Sequence, residues 1–384
     1  MRNYIKKVIG LFFVFCIVFI PFVQESVQLP VTKFIFEAPV RFLGSLFFDK
    51  PLVLLDFSSD TRSLSLLLFI LFCFAVIVAF AIKKPSQKLF WMLQTVMVYF
   101  LSFVLFKYGF EKIFIKQFYQ PESNILYTPL GNLDKDILYW SVMGLAPVYS
   151  FILGLTEVTT ALLLLFVRTR FAGLLLAITA LVQIVIINFC FDISVKMFSL
   201  LLLAMALFVA WRQLKALFDF LLLQKAKVLP IVHSGLEMPV YVKASLKFFI
   251  VGLMLLTILY PLVAHSPTKP KLYGAYKVEQ YILHGIEWYD TIPVKRIFFH
   301  SKQYVIFQRQ DDSMLDFHYT INETENTIAL SNYEGGKLTM SYSIEGGLLT
   351  LTSDNGMIMT ASPIKWENMS ALQHRFHFFV DEVR

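Results

Sequence analysis

Charge is scarce in this chain. Asp, Glu, Lys and Arg make up 16% of its 384 residues, against 57% hydrophobic. A soluble domain carries about a quarter charged residues, so water is excluded as the main solvent. Cysteine is scarcer still. Cys16, Cys73 and Cys190 each fall inside an apolar run, with no C-x-x-C and no pair in a polar segment. A disulfide framework and a dithiol relay are therefore both excluded. None of the histidines, His233, His265, His284, His300, His318, His374 and His377, lies in an apolar run. A membrane haem with two axial imidazoles has no ligands here. His374 and His377 lack a third partner, so no metal site is expected. P-loop, H-E-x-x-H and G-x-S-x-G motifs are all missing. The chain presents no cofactor motif of its own, and the sequence leaves open whether it is an enzyme.

What is present in quantity is long apolar runs. They cover 8–23, 63–82, 89–106, 147–167, 171–191, 195–211 and 248–264. A hydrocarbon core of ~30 Å needs about 20 such residues as a helix. The expectation is a membrane all-α bundle of about seven transmembrane helices, with the lipid bilayer as its first partner. The first run follows Arg2, Lys6 and Lys7 but leads into Gln24-Glu-Ser-Val with no small-residue cleavage pattern, which reads as an uncleaved signal anchor. An interfacial hairpin or short amphipathic helix is expected over 31–48. A short surface helix is expected over 137–144, and a basic amphipathic stretch over 218–242.

The formal charge of +7 is explained by membrane sidedness rather than by nucleic acid. With the N-terminus inside, the inner segments carry Arg2, Lys6, Lys7, Lys83, Lys84, Lys88, Arg168, Arg170, Arg212, Lys215, Lys225, Lys227, Lys243 and Lys247 against Asp219 and Glu237. The positive-inside rule then predicts an inner-membrane protein with a cytoplasmic N-terminus and a periplasmic C-terminal domain.

From residue 271 the pattern changes to period two, as in Lys337-Leu-Thr-Met-Ser-Tyr-Ser343 and Gly347-Leu-Leu-Thr-Leu-Thr-Ser353. Glu334-Gly-Gly336, Glu345-Gly-Gly347 and Asp354-Asn-Gly356 punctuate it as turns. An extracytoplasmic antiparallel β-barrel or sandwich is expected over 271–384. The sequence thus divides into 1–88, two N-terminal spans and the hairpin; 89–217, a four-helix core; 218–270, a basic segment, a further span and a linker; and the β domain.

One polar group stands out against this background. Glu157 lies ten residues beyond Pro147, ~15 Å along a helix and near the bilayer midplane. A carboxylate there needs a proton or a cation. Lys107 and Glu111 share a helical face, beside Tyr108 and Lys112. Asn188, Asp192 and Lys196 fall at the next helix ends on the same side. These eight residues are the candidate lining of an outward-facing polar pocket; ordinary interfacial salt bridges explain the outer members as readily.

Tyr108-Gly-Phe-Glu-Lys112, Tyr139-Trp-Ser-Val-Met-Gly144, Gly154-Leu-Thr-Glu157 and Asn188-Phe-Cys-Phe-Asp192 through Lys196 resemble the DoxX-like membrane proteins over roughly 89–211. That resemblance implies a compact four-helix core with Glu157, Asn188, Asp192 and Lys196 lining its pocket, and for some members a link to quinone-dependent redox chemistry. Leu272-Tyr-Gly-Ala-Tyr-Lys-Val278 resembles the opening strand of lipocalin-like domains. The expected function is a membrane anchor or binding component of unassigned activity, with a ligand or protein partner at its outer domain. A quinone-linked oxidoreductase subunit, with quinone as cofactor, and a small-solute transporter are the alternatives.

Overall fold

The computed structural model describes all residues except 1, 23–24, 51, 53, 83–86, 226–227, 229, 231–238, 265–268, 289–291 and 374–384. His374 and His377, together with Lys83, Lys84, Lys227 and Glu237, lie outside the described residues. The chain forms two compact units. One comprises Met1–Phe118 with Val148–Val263, the other Tyr119–Pro147 with Ala264–Arg384.

Among the described residues, ten α-helices run in chain order: α1 (Arg2–Phe19), α2 (Glu25–Phe47), α3 (Arg62–Ala81), α4 (Gln87–Ile113), α5 (Ser123–Leu126), α6 (Lys135–Leu145), α7 (Pro147–Leu165), α8 (Arg170–Cys190), α9 (Lys196–Leu221) and α10 (Val240–Ala264). Five of them, α3, α4, α7, α8 and α9, are long and apolar enough to cross a membrane. Of the other two expected crossings, α1 opens with Arg2, Lys6 and Lys7, and the apolar part of α10 is the shorter stretch Lys247–Tyr260.

The first unit is held by apolar faces at helical spacing. In α3, Leu64, Leu67, Leu71, Ala75 and Ala79 are fully buried, one residue per turn on one side. The start of α1 meets the end of α3, so the two are antiparallel: Tyr4 donates to the Val76 carbonyl (3.2 Å) and Lys7 Nζ to the Ile82 carbonyl (2.6 Å). Lys7 is buried because its ammonium fills the unpaired carbonyl end of α3.

Three boundaries differ from the sequence reading. Of the hairpin or short amphipathic helix expected over 31–48, a helix is what forms, but longer: it is part of one helix of 23 residues, α2, despite Pro30 and Pro39. Gln28 donates to the Ile17 carbonyl (2.9 Å) and Thr32 to that of Phe19, so α2 begins by capping the end of α1. The helix α4 continues through Lys107 to Ile113, and α9 continues beyond Trp211 to Leu221. Both continue because their buried faces do: Gly109 and Lys112 in α4, and Gln213, Ala216 and Asp219 in α9.

The described residues of the second unit carry nine strands: β1 (Gly274–Leu283), β2 (Ile286–Glu287), β3 (Val294–Phe299), β4 (Tyr304–Arg309), β5 (Met314–Asn322), β6 (Thr327–Ser331), β7 (Lys337–Glu345), β8 (Leu348–Ser353) and β9 (Met357–Ile364). They form an antiparallel meander that β1 closes by pairing with β9, leaving β2 as a short arm. Of the two expected outcomes the barrel is the one formed. Its β7–β8 connection turns in two residues, Gly346 (φ +58°) and Gly347 (φ +84°), a conformation that favours glycine at both positions.

Alternate residues fill the barrel, among them Val305 and Phe307, Ile328 and Leu330, and Leu349 and Leu351. The opposite face of β1, β3 and β4 is also apolar. There Ala275, Phe298 and Ile306 are covered by Trp366 and by Leu126 and Tyr127 of the segment between α4 and α7. That segment, which in the sequence reads as a polar loop over 116–136 followed by the short surface helix, is therefore part of the barrel's own unit.

Candidate functional site

The site in the first unit begins with two glycines. A Cβ on Gly154 would lie 2.5 Å from the Gly109 carbonyl oxygen, and one on Gly109 would lie 2.9 Å from that of Gly154. The backbones of α4 and α7 touch here, as small residues permit between membrane helices. About two turns deeper, Ser102 Oγ donates to the Ala161 carbonyl (3.0 Å). The pairs 102 with 161 and 109 with 154 make the helices antiparallel.

Side chains on a helix lean toward its N-terminus. Lys112 and Glu157, each three residues beyond its glycine, therefore lean toward one another. Lys112 Nζ donates to Glu157 Oε1 (2.9 Å) and Oε2 (2.8 Å). Both residues are 6% exposed. The ammonium also lies 5.8 Å from the Tyr108 ring centroid and 5.7 Å from that of Phe118. Phe118 arrives there because the chain reverses after α4: Ile115 takes φ +54°, and the Lys116 and Gln117 amides both donate to the Glu111 carbonyl (2.8 and 3.2 Å). Gln117 Oε1 is buried beside this turn without a hydrogen-bond partner.

Of the eight candidate residues, five gather here. Lys112 and Glu157 form the centre and Tyr108 one wall. Lys107 lies 5.6 Å over the Tyr108 ring, and Glu111 shares the field of Lys107, Lys112 and Glu157. The other three sit at the α8–α9 turn. Lys196 Nζ bonds Asp192 (2.6 Å) and approaches Asp60 (3.9 Å), and Asn188 donates to the Val195 carbonyl (3.5 Å).

Asp60 is the residue that sequence reasoning missed. Its carboxylate accepts the backbone N–H groups of Lys196 (2.7 Å) and Met197 (2.8 Å) and so caps α9, while its own amide donates to the Ser194 carbonyl (3.0 Å). A cap usually comes from the residue just before a helix. This one is supplied from 136 positions away, and no local pattern announces it.

Chemically, the Lys112–Glu157 pair is closed on itself. Both carboxylate oxygens are used, and the third ammonium hydrogen has aromatic rings around it. A proton on Glu157, or a competing anion at Lys112, is what would open it. Among the described residues, no group of three or more His, Cys, Asp or Glu could hold a metal ion.

A second polar cluster lies within the barrel's unit. Glu122, just before α5, accepts from Ser301 Oγ (2.6 Å) and faces His300 Nε2 at 3.8 Å. His300 Nδ1 accepts the Lys302 amide (3.1 Å), so the ring proton sits on Nε2. Burial holds this imidazole below its ordinary pKa. Burial and the Glu122 charge hold the Tyr273 hydroxyl above its own. Nearby, buried Gln308 donates to the Tyr127 carbonyl (3.1 Å), and the Arg296 guanidinium stacks 4.4 Å over the Tyr127 ring.

Comparison with known proteins finds a relative of unassigned activity. Over 112 residues, 29% of this chain and 71% of the relative, the sequence is 35% identical to the uncharacterized protein YwoB of Bacillus subtilis (strain 168). The chain belongs to the family of that protein. No family model matches it, and no solved structure does.

Proposed function

We propose that this member of the YwoB family is a seven-span anchor of the cytoplasmic membrane that displays a ligand- or partner-binding barrel on the outer side. The observation that carries the reading is that Tyr119–Pro147 and the barrel form one compact unit. A folded unit with polar loops cannot be divided by a bilayer. The end of α4, the start of α7 and the end of α10 then share a side.

Between Pro147 and the barrel stand three candidate spans, α7, α8 and α9. An odd number of crossings ends on the wrong face, so α10 is needed as the fourth. The same count puts the start of α3 and the start of α9 on the barrel's side, and the Asp60 cap on α9 supports that. Because α1 is antiparallel to α3, Arg2, Lys6 and Lys7 fall on the opposite side. The connections there carry Lys83, Lys84, Arg168 and Lys225. Such an excess of Lys and Arg marks the cytoplasm.

For the core, the contact of Gly109 with Gly154 and of Lys112 with Glu157 supports the DoxX-like reading of these helices. Glu157 has both oxygens committed to Lys112, which favours a structural core over a redox one. A reporter enzyme active only outside the cytoplasm should work when fused after Arg384 and fail when fused after Lys225. The reverse pattern would overturn the crossing count. A quinone extracted from the purified protein at about one per chain would favour the redox subunit instead.

A further inference from the structure

The turn between α7 and α8 is four residues, Phe166 to Thr169. Both helices are candidate spans, so a turn this short lies at a face of the bilayer. Side chains cap the carbonyl end of α7 there. Thr169 Oγ donates to the Leu163 carbonyl (2.9 Å) and the Thr169 amide to that of Phe166 (3.1 Å). Arg170 Nε donates to the Leu164 carbonyl (3.0 Å), and Lys247 Nζ, arriving from α10, to that of Leu165. The Lys247 ammonium also rests 3.8 Å from the Phe166 ring centroid.

Capping needs less charge than this corner holds. The carbonyl end of a helix carries the equivalent of about half a negative charge. Against it stand Arg168, Arg170 and Lys247. Arg170 is 2% exposed, Arg168 is exposed, and Lys247 lies in the repulsive field of Arg170. The surrounding helices bring little to balance them. Residues 158–191 and 240–264 contain no Asp or Glu, and α4, whose Tyr99 shares the field of Arg170, has none before Glu111. On α9, Asp219 is outnumbered by Arg212 and Lys215 on the same helix. Cations held together at the edge of a low-dielectric region repel one another until an anion joins them.

The same corner has an apolar flank. Phe166 is 51% exposed beside Arg168, and Phe248 72% exposed beside Lys247. A soluble anion would satisfy the cations and leave these rings as they are. A molecule that carries a phosphate on hydrocarbon chains satisfies both. Guanidinium groups match phosphate oxygens in geometry as well as charge, and basic pockets between membrane helices are sites for anionic head groups.

We propose that the α7–α8 turn and the start of α10 bind the head group of an anionic phospholipid, with its phosphodiester between Arg168 and Lys247 above the fixed charge of Arg170, and its chains along Phe166 and Phe248. The proposal rests on α7, α8 and α10 lying in a bilayer. It depends neither on which face the turn meets nor on what the barrel binds, so it and the crossing count can fail separately.

The test titrates the full-length protein in dodecyl maltoside micelles with phosphatidylglycerol or phosphatidylcholine and counts bound lipid by native mass spectrometry. A saturable first phosphatidylglycerol is expected, preferred over phosphatidylcholine by about tenfold or more. Arg168→Gln alters an exposed side chain and should weaken that binding about fivefold; with Lys247→Gln, which keeps a donor for the Leu165 carbonyl, the loss should be about thirtyfold, and phosphatidylcholine binding should not change. Lys6→Gln with Lys88→Gln removes two charges from the starts of α1 and α4 and should leave phosphatidylglycerol binding within about twofold. Equal binding of the two lipids, an unchanged Arg168→Gln, Lys247→Gln double variant, or an equal loss in the Lys6→Gln, Lys88→Gln control would overturn the proposal. Displacement of the bound lipid by millimolar inorganic phosphate would also overturn it, because the corner would then hold a soluble anion.

Discussion

Replacing Glu157 by Gln keeps the size and hydrogen-bonding reach of the side chain and removes its charge, leaving the Lys112 ammonium buried among Tyr108, Phe118 and the α4–α7 backbones. Hydrogen bonds between neutral polar groups of membrane helices contribute little, ~0.6 kcal/mol on average, and that would be the expectation if the pair were ordinary. It is not: both acceptor oxygens are engaged at 2.8 and 2.9 Å, and both residues are 6% exposed. Removing one member of such a buried pair costs about 3 to 5 kcal/mol, while replacing both by apolar groups of similar volume is near neutral or stabilising. Glu157→Gln and Lys112→Met should therefore each destabilise the purified protein by about 3 kcal/mol or more. Lys112→Met combined with Glu157→Met should restore most of that loss. Reversible unfolding in mixed micelles gives the three differences, and the cycle isolates the coupling. Costs below about 1 kcal/mol for the single variants, or simple additivity in the double, would refute the assignment of this pair as the organising contact of the site.

Three further outcomes follow from the same structure. Gly154→Ala places a methyl 2.5 Å from the Gly109 carbonyl oxygen, so the helices must separate and stability should fall by about 1 to 3 kcal/mol. Gly252→Ala in α10, with nothing within 4 Å, should be neutral or stabilising in the same unfolding assay. In the barrel's unit, the folded state holds His300 below its ordinary pKa of 6.5, so below that pH the unfolded state binds the extra proton and stability declines as pH falls. Melting temperature measured from pH 7.5 to 5.5 should drop more in the wild type than in His300→Asn. Equal slopes would show that His300 does not link the Glu122 segment to pH.

How far the sequence spoke depended on whether a feature belonged to one stretch or to two. Hydropathy is local, and the five helices able to cross a membrane stand where apolar runs stand. The β turns were equally local: Gly346 and Gly347 signal their hairpin without help from the rest of the chain. Closure was not. The pairing of Ala275 with Ile364 is a relation between strands at opposite ends of the domain, and alternation alone allowed a sandwich as well as a barrel. The docking of Tyr119–Pro147 was hidden for a similar reason. Leu126 and Tyr127 are apolar residues in a polar segment, too few to signal a surface until Phe298 and Ile306 appear opposite them.

The polar residues of the core show the same division more sharply. Glu157 could be singled out from its depth alone, together with the requirement for a cation, because the cost of a bare carboxylate in hydrocarbon is a property of one residue. Which cation answered it was decided by the helix crossing. The spacing Gly109 to Lys112 equals that from Gly154 to Glu157, and in an antiparallel pair that touches at its glycines this equality places the two charges face to face. The rule can be applied in reverse: where two apolar helices each carry a glycine followed three residues later by a charge of opposite sign, antiparallel contact at the glycines satisfies both charges at once. Asn188, Asp192 and Lys196 have no such symmetry with Lys112, and they are organised by Asp60 at the capped start of α9. By this argument the two polar groups of the core are separable. Asp60→Asn should weaken the α8–α9 turn and leave the Lys112–Glu157 coupling energy unchanged in the cycle described above, and a fall in that coupling would mean that the eight residues act as one cluster.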